Sequence, residues 1–166
     1  MKRKTKVIIG VAATIIAGAV VATPIINLTS PVVAAGNVVS KDLNVRGVAK
    51  DLNDSNYFNV VLTTQGRATI SSQVASFNPG GENGWHSHPG LVTVTLTKGS
   101  IVWYNGNCEA TTDNAGDAWA EGSQIHMFRV VSKEAVLIYA TFITAQGEPL
   151  RTDKPEPPCA AAMGLT

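Results

Sequence analysis

From residue 38 onward the chain alternates apolar and polar positions with a period of two, in short runs broken by turn residues, the pattern of half-buried β-strands. The clearest run is Leu91-Val92-Thr93-Val94-Thr95-Leu96-Thr97, which puts Val92, Val94 and Leu96 on one face and three threonines on the other. Further strands are expected over 38–48, 57–63, 68–77, 101–104, 117–120, 125–131 and 135–144, and Asn105-Gly106 between two of them is a hairpin signal. The stretch 135–143 is apolar on both faces, as expected of a central strand covered on both sides. With no convincing helical period beyond the N-terminal segment, many short strands with regular turns predict an all-β sandwich or closed barrel.

The first 35 residues follow a different rule. Lys2, Arg3, Lys4 and Lys6 make a basic start, and residues 7–22 form an apolar or small run without a charge, followed by Thr23-Pro24. This is the anatomy of a secretion signal with a short leader, 1–35, ahead of a single domain, 36–166. Processing after Ala22, Ala34 or Ala35 fits the small residues there, and an uncleaved anchor over 7–26 is the competing reading. Export is expected on either reading, and no stable membrane association once the segment is removed.

Removing that segment changes the charge balance. Four of the 13 basic residues and none of the 12 acidic ones lie before Ala35, leaving 9 against 12 and a net charge near −3. A mildly acidic domain without a Lys/Arg cluster argues against nucleic acid and against anionic membrane surfaces as partners. A small-molecule ligand and a homodimer are both compatible with it.

The chemistry is concentrated in Gly84-Trp85-His86-Ser87-His88-Pro89-Gly90, just before the clearest strand. Side chains at i and i+2 share a face, so His86 and His88 point the same way, and the parity continues into Val92, Val94 and Leu96. The third and last histidine, His126, heads a strand-like run with Phe128 and Val130 on its face. Three imidazoles on two strands predict a facial three-nitrogen site with positions left open, lined by Val92, Val94, Leu96, Phe128 and Val130. The plainer reading, a polar turn pair and one satisfied core histidine, does not account for the in-phase pair between glycines.

At these residues the chain resembles the cupins, small jelly-roll barrels whose first motif reads Gly-x5-His-x-His-x3or4-Glu-x6-Gly. Gly80, His86, His88, Val92 and Gly99 keep that spacing, with Val92 where the glutamate stands. The second motif, Gly-x5-Pro-x-Gly-x2-His-x3-Asn, is matched loosely by Gly116 (one residue too close), Glu121 for Pro, Ser123 for Gly, His126, and Val130 for Asn. With Asn107-Cys108, Gly116-Asp117 and the tail from Pro149-Leu150-Arg151 to Pro157-Pro158-Cys159, the chain is similar to short exported bacterial cupin-domain proteins over about residues 40 to 160. The resemblance implies a cupin-type jelly-roll barrel (double-stranded β-helix) with one divalent metal in its pocket: zinc, iron, copper or nickel. It does not choose a reaction.

Cys108 and Cys159 are the only cysteines, and an even pair in an exported chain is most economically a disulfide, here tying a hairpin to the Pro-rich tail. A thiol ligand or nucleophile is the alternative, though neither cysteine is in phase with the histidines. With Val92 replacing the glutamate, three neutral imidazoles would leave the ion its full charge and favour an anionic ligand. Glu82, in the turn before the pair, could swing in, but reads more simply as a solvated loop charge. Two functions stay open: a metal-dependent oxygenase of a small anionic or phenolic substrate, or a non-catalytic extracellular module that binds a metal or small ligand. The inward positions named above supply no acid or base, which weighs toward the second.

Overall fold

The computed structural model describes residues 32–38, 42–50 and 57–165. The expected secretion signal lies outside the described residues, apart from its last positions. Among the described residues no helix is long and apolar enough to cross a membrane. The strands are β1 (Val32–Asn37), β2 (Asn44–Lys50), β3 (Tyr57–Thr63), β4 (Ala68–Phe77), β5 (His86–Ser87), β6 (Leu91–Lys98), β7 (Ser100–Asn105), β8 (Ala110–Asn114), β9 (Ala118–Glu121), β10 (His126–Val130), β11 (Val136–Ala145) and β12 (Thr152–Asp153).

Two five-stranded antiparallel sheets face each other, one ordered β1-β4-β11-β6-β9 and the other β12-β5-β10-β7-β8, while β2 and β3 form a separate hairpin. Past β4 the chain passes from one sheet to the other at every connection except the β7–β8 hairpin, which is the jelly-roll arrangement expected from the sequence: an all-β, cupin-type double-stranded β-helix. The alternation on β6 holds as expected, with Val92, Val94 and Leu96 buried and the threonines exposed. Strand β11 is the central strand of its sheet, between β4 and β6, but it is covered on one face only: Val136, Ile138 and Phe142 are buried, whereas Tyr139 on the other face is exposed.

Besides β8 and β12, which were not expected as strands, two segments depart from the pattern. The run expected over 38–48 is instead a strand that starts at Asn44 and pairs with β3. Val32, Ala34 and Ala35, assigned to the leader, hydrogen-bond in β1 along β4. The reason is positional, because β1 is an edge strand whose residues are exposed, so no inward-facing period marks it in the sequence.

The core between the sheets contains Ala75, Phe77, Val92, Val94, Leu96, Ile101, Phe128, Val130, Val136, Ile138 and Phe142. Phe77 and Phe128 meet edge to face across it, with ring centres 4.8 Å apart. A second cluster of Trp85, Met127, Cys108, Ala160 and Leu165 lies under the C-terminal tail. The Cys108–Cys159 disulfide expected from the sequence fastens that tail to the β7–β8 hairpin. Gly90 lets the histidine loop pass close against β11, since a Cβ there would collide with the Ile143 carbonyl.

Candidate metal centre

The structure brings His86, His88 and His126 together and adds a fourth group, Glu121, with one ligand atom from each lying within 4.8 Å of the others. His86 sits on β5 and His126 opposite it on β10, paired in register, and His88 follows β5 by one residue. Ring centres are 4.8 Å apart for His86 and His88, 4.4 Å for His86 and His126, and 5.2 Å for His88 and His126. All three imidazoles are buried.

Each ring is held by a backbone carbonyl on its Nδ1 side. His86 Nδ1 donates to Gly84 O at 2.7 Å, His88 Nδ1 to Leu150 O at 2.7 Å, and His126 Nδ1 to Gln124 O at 2.9 Å. A carbonyl only accepts, so the Nδ1 proton is fixed and a neutral ring must present a bare Nε2 to the centre. Gly84, at φ +68, takes the left-handed conformation that favours glycine just where its carbonyl serves His86.

Glu121 completes the set from the opposite sheet. Its Oε1 accepts from Trp119 Nε1 at 2.8 Å and Trp103 Nε1 at 3.3 Å, which leaves Oε2 facing His88 Nε2 at 3.2 Å and His126 Nε2 at 3.3 Å. Trp103 also stacks on the His126 ring, 5.5 Å between centres. Burial alone would raise the Glu121 carboxyl, but an N–H donor or positive charge on the His126 and His88 side, with the Trp119 indole, outweighs it and holds the group well below its ordinary value. The carboxylate is therefore an anion inside the barrel.

Left bare, the Nε2 atoms of His88 and His126 and the carboxylate oxygen they face are all acceptors, and those two nitrogens are buried with no hydrogen-bond partner. A proton is a poor remedy at His86, whose pKa burial, then the nearby Arg151 charge, push down to about 3. A single divalent cation satisfies all four atoms at once. Imidazole nitrogens held by second-sphere carbonyls plus one carboxylate are the donor set that zinc, iron(II), copper(II) and nickel share, so the residues fit the group.

Beside this cluster lies a cavity of about 150 Å³ whose wall includes Phe77, Val92, Val94, Phe128, Ile138 and Phe142, together with Arg151. Of the five lining residues expected, Val92, Val94 and Phe128 line it, whereas Leu96 and Val130 lie in the packed core. Their faces are as expected. Leu96 is four residues past Val92, about 13 Å along the strand, which carries it beyond the cavity floor.

Glu121 is the residue the sequence did not reveal. Its backbone pairs directly with Val92, so the carboxylate missing from the first motif is supplied one strand across, on the neighbour of β6. This overturns the expectation of an uncompensated three-imidazole site and of an inward face without acid or base groups. The available signal was parity: extending the expected strand 117–120 by one residue puts Glu121 on the face of Trp119. Glu82 does not enter the centre and is not a free loop charge either, because it forms an ion pair with Arg129.

The tail belongs to the site as well. Besides Leu150, which holds His88, β12 pairs with β5, and Lys154 N donates to Trp85 O at 3.0 Å. Trp85 Nε1 in turn donates to Leu165 O at 3.2 Å.

No protein-family model and no curated protein matches the chain. Among solved structures, a Klebsiella pneumoniae protein described as uncharacterized, with a double-stranded β-helix domain, is 22% identical at a TM-score of 0.46, over 67% of this chain and 85% of that one. The Schizosaccharomyces pombe Cnp3 cupin domain is 13% identical at 0.43, over 61% and 87%. An oxalate oxidase in complex with the substrate analogue glycolate is 19% identical at 0.43, over 58% of this chain and 57% of its own. The match thus spans little more than half of the oxalate oxidase chain. By its own strand order and histidine motif, this chain is a cupin-type barrel with a three-histidine, one-carboxylate cluster suited to a metal ion.

Proposed function

We propose that the protein is an exported cupin-type metalloprotein that holds one divalent ion through His86, His88, His126 and Glu121, and that it acts there on a small anionic or phenolic substrate. The observation that carries this reading is the pair of buried, unpartnered Nε2 atoms aimed at the Glu121 carboxylate. A bound ion supplies Lewis acidity and open positions for substrate and, when it is iron(II) or copper(II), the capacity for oxygen chemistry. The protein's own part is positional. Gly84, Leu150 and Gln124 fix the three ring orientations, the two indoles fix the carboxylate, and the apolar wall excludes water from the cavity. With Glu121 ionised, a divalent ion would keep half its charge, enough to favour an anionic ligand without demanding two. Export is supported by the signal-like N-terminus and by the disulfide, which persists in oxidising compartments.

Metal analysis of protein purified without a metal-binding tag tests the centre, and oxygen uptake with small carboxylic acids and phenols tests the reaction. Close to one equivalent of metal, together with substrate-dependent uptake, is the expected result. Failure to take up zinc, iron, copper or nickel on reconstitution would overturn the reading. A filled site without turnover would favour a non-catalytic ligand-binding module.

A further inference from the structure

The metal ligands account for one end of the cavity and leave Arg151 on its wall without a role. Among the residues lining the cavity it is the one fixed cation. Its side chain is 31% exposed and is held from two directions. Nη1 donates to Asn83 O at 2.9 Å, Nε donates to Asp153 Oδ1 at 2.8 Å, and Nη2 donates to that same oxygen. A guanidinium carries five N–H donors. These contacts use three and leave two.

Asp153 neutralises Arg151 only in part, because at 78% exposure its charge is screened by water, and it still competes with an incoming carboxylate for the guanidinium. The cavity wall it shares is mostly apolar, with Phe77, Phe142, Ile138 and Val92 among the lining residues, and neither Gln73 nor Glu121 on that wall forms a hydrogen bond with it. A half-buried guanidinium kept rigid beside an apolar hollow, with two donors to spare, is matched in shape and charge by a carboxylate.

We propose that Arg151 is the carboxylate anchor of this cavity and that the ligand is a small monocarboxylic acid with an apolar body. Its carboxylate takes the two spare N–H donors, its hydrocarbon or aryl part packs on Phe77, Phe142 and Ile138, and the remainder lies beside His86 and Glu121. This inference rests on the metal reading and narrows its substrate from anions and phenols at large to carboxylic acids. The volume sets the scale. About 150 Å³ is below the roughly 300–1,000 Å³ typical of drug-sized ligands, so acids the size of benzoic or phenylacetic acid fit and long-chain acids do not.

The test is calorimetric titration of the zinc-loaded full-length protein with benzoate and phenylacetate, against benzamide and phenylacetamide as neutral matches. Zinc content is measured first on every sample. The wild type should prefer each acid to its amide by about tenfold or more, and Arg151→Gln should erase that preference while zinc stays in place. Asp153→Asn keeps Arg151 and removes its exposed competitor, so it should tighten phenylacetate binding severalfold; this variant carries the test even if Arg151→Gln folds poorly. Zinc-filled protein that treats acid and amide alike or binds neither, Arg151→Gln that keeps the discrimination, or Asp153→Asn that leaves phenylacetate affinity unchanged or lower each overturns the assignment of Arg151. Wild-type protein that takes up no zinc overturns the metal reading instead.

Discussion

The two sheets contribute unlike things to one centre. The sheet β12-β5-β10-β7-β8 brings His86 and His126 on short strands, two residues long in β5 and five in β10, and His88 just after β5. The sheet β1-β4-β11-β6-β9 brings long strands, ten residues each in β4 and β11, which supply most of the apolar wall and, at the end of β9, Glu121. Backbone pairing is thus weakest where the chemistry is densest. The histidine strands are held by what surrounds them: the tail, the disulfide and the carbonyls on each ring. The wall sheet holds itself by ladder and core.

This contrast predicts that lesions in the two sheets separate. Leu96→Ala, at a fully buried core position, should cost about 2–5 kcal/mol of stability in denaturant titration and leave metal stoichiometry intact. His126→Ala should reduce metal occupancy to roughly a tenth or less, read by elemental analysis, because it removes a ligand outright. If Leu96→Ala strips the metal as thoroughly as His126→Ala, the division of labour is wrong.

A sharper test moves the carboxylate between neighbouring strands. Glu121→Val should weaken metal binding about tenfold or more, and adding Val92→Glu should recover part of it, since the two positions are direct cross-strand partners facing one cavity. A double variant no better than Glu121→Val alone would show that the ion needs the indole-held orientation and not merely the charge.

On the histidine side, replacing both Cys108 and Cys159 with serine should cost about 2–4 kcal/mol, since the bond spans 51 residues. It should also loosen metal binding, because the freed tail carries the Leu150 carbonyl behind His88. A change in thermal midpoint with unaltered metal affinity would confine the tail to a structural role.

The smallest effect per step is that of pH. His86 is neutral in the folded apoprotein, with its pKa lowered to about 3 from 6.5, while in the unfolded chain it takes up a proton below about 6.5. Between those values the unfolded state binds the extra proton, so stability falls as pH falls, by up to about 1.4 kcal/mol per unit. Glu121 works in the same direction, but only below its ordinary value of 4.5, where the unfolded carboxyl begins to protonate. The metal-free protein should therefore lose stability from about pH 6.5 downward on account of the histidine sheet, and more steeply below about 4.5 on account of the wall sheet. His86→Gln should remove the first phase and keep the second, as followed by urea midpoints across pH.

How far the sequence foretells this arrangement depends on whether a signal is local. The strand faces are legible because alternation is a property of adjacent residues, and the three histidines are legible because they are rare and in phase. The even cysteine pair announces its bond for a similar reason. Glu121 was hidden because its meaning comes from β9 lying against β6, where its partner is the distant Val92, a pairing that no local period encodes. Arg151 and the Leu150 carbonyl were hidden more deeply, since they come from an irregular tail whose composition reads as a linker. Strand β1 escaped because an exposed edge has no inward face to alternate.

The long reach of His88 to its carbonyl partner has a consequence in time. Leu150 follows His88 by 62 residues and Leu165 follows Trp85 by 80. At ribosomal speeds of about 5–20 residues per second, His88 waits on the order of 3–12 s for the group that sets its ring. Until the C-terminal end arrives, the nascent chain holds all four donor side chains without the frame that aims them. Were the chain exported unfolded, as proposed above, that last segment would arrive on the far side, and the metal pool offered to the centre would be the one at the destination and not the one at the ribosome.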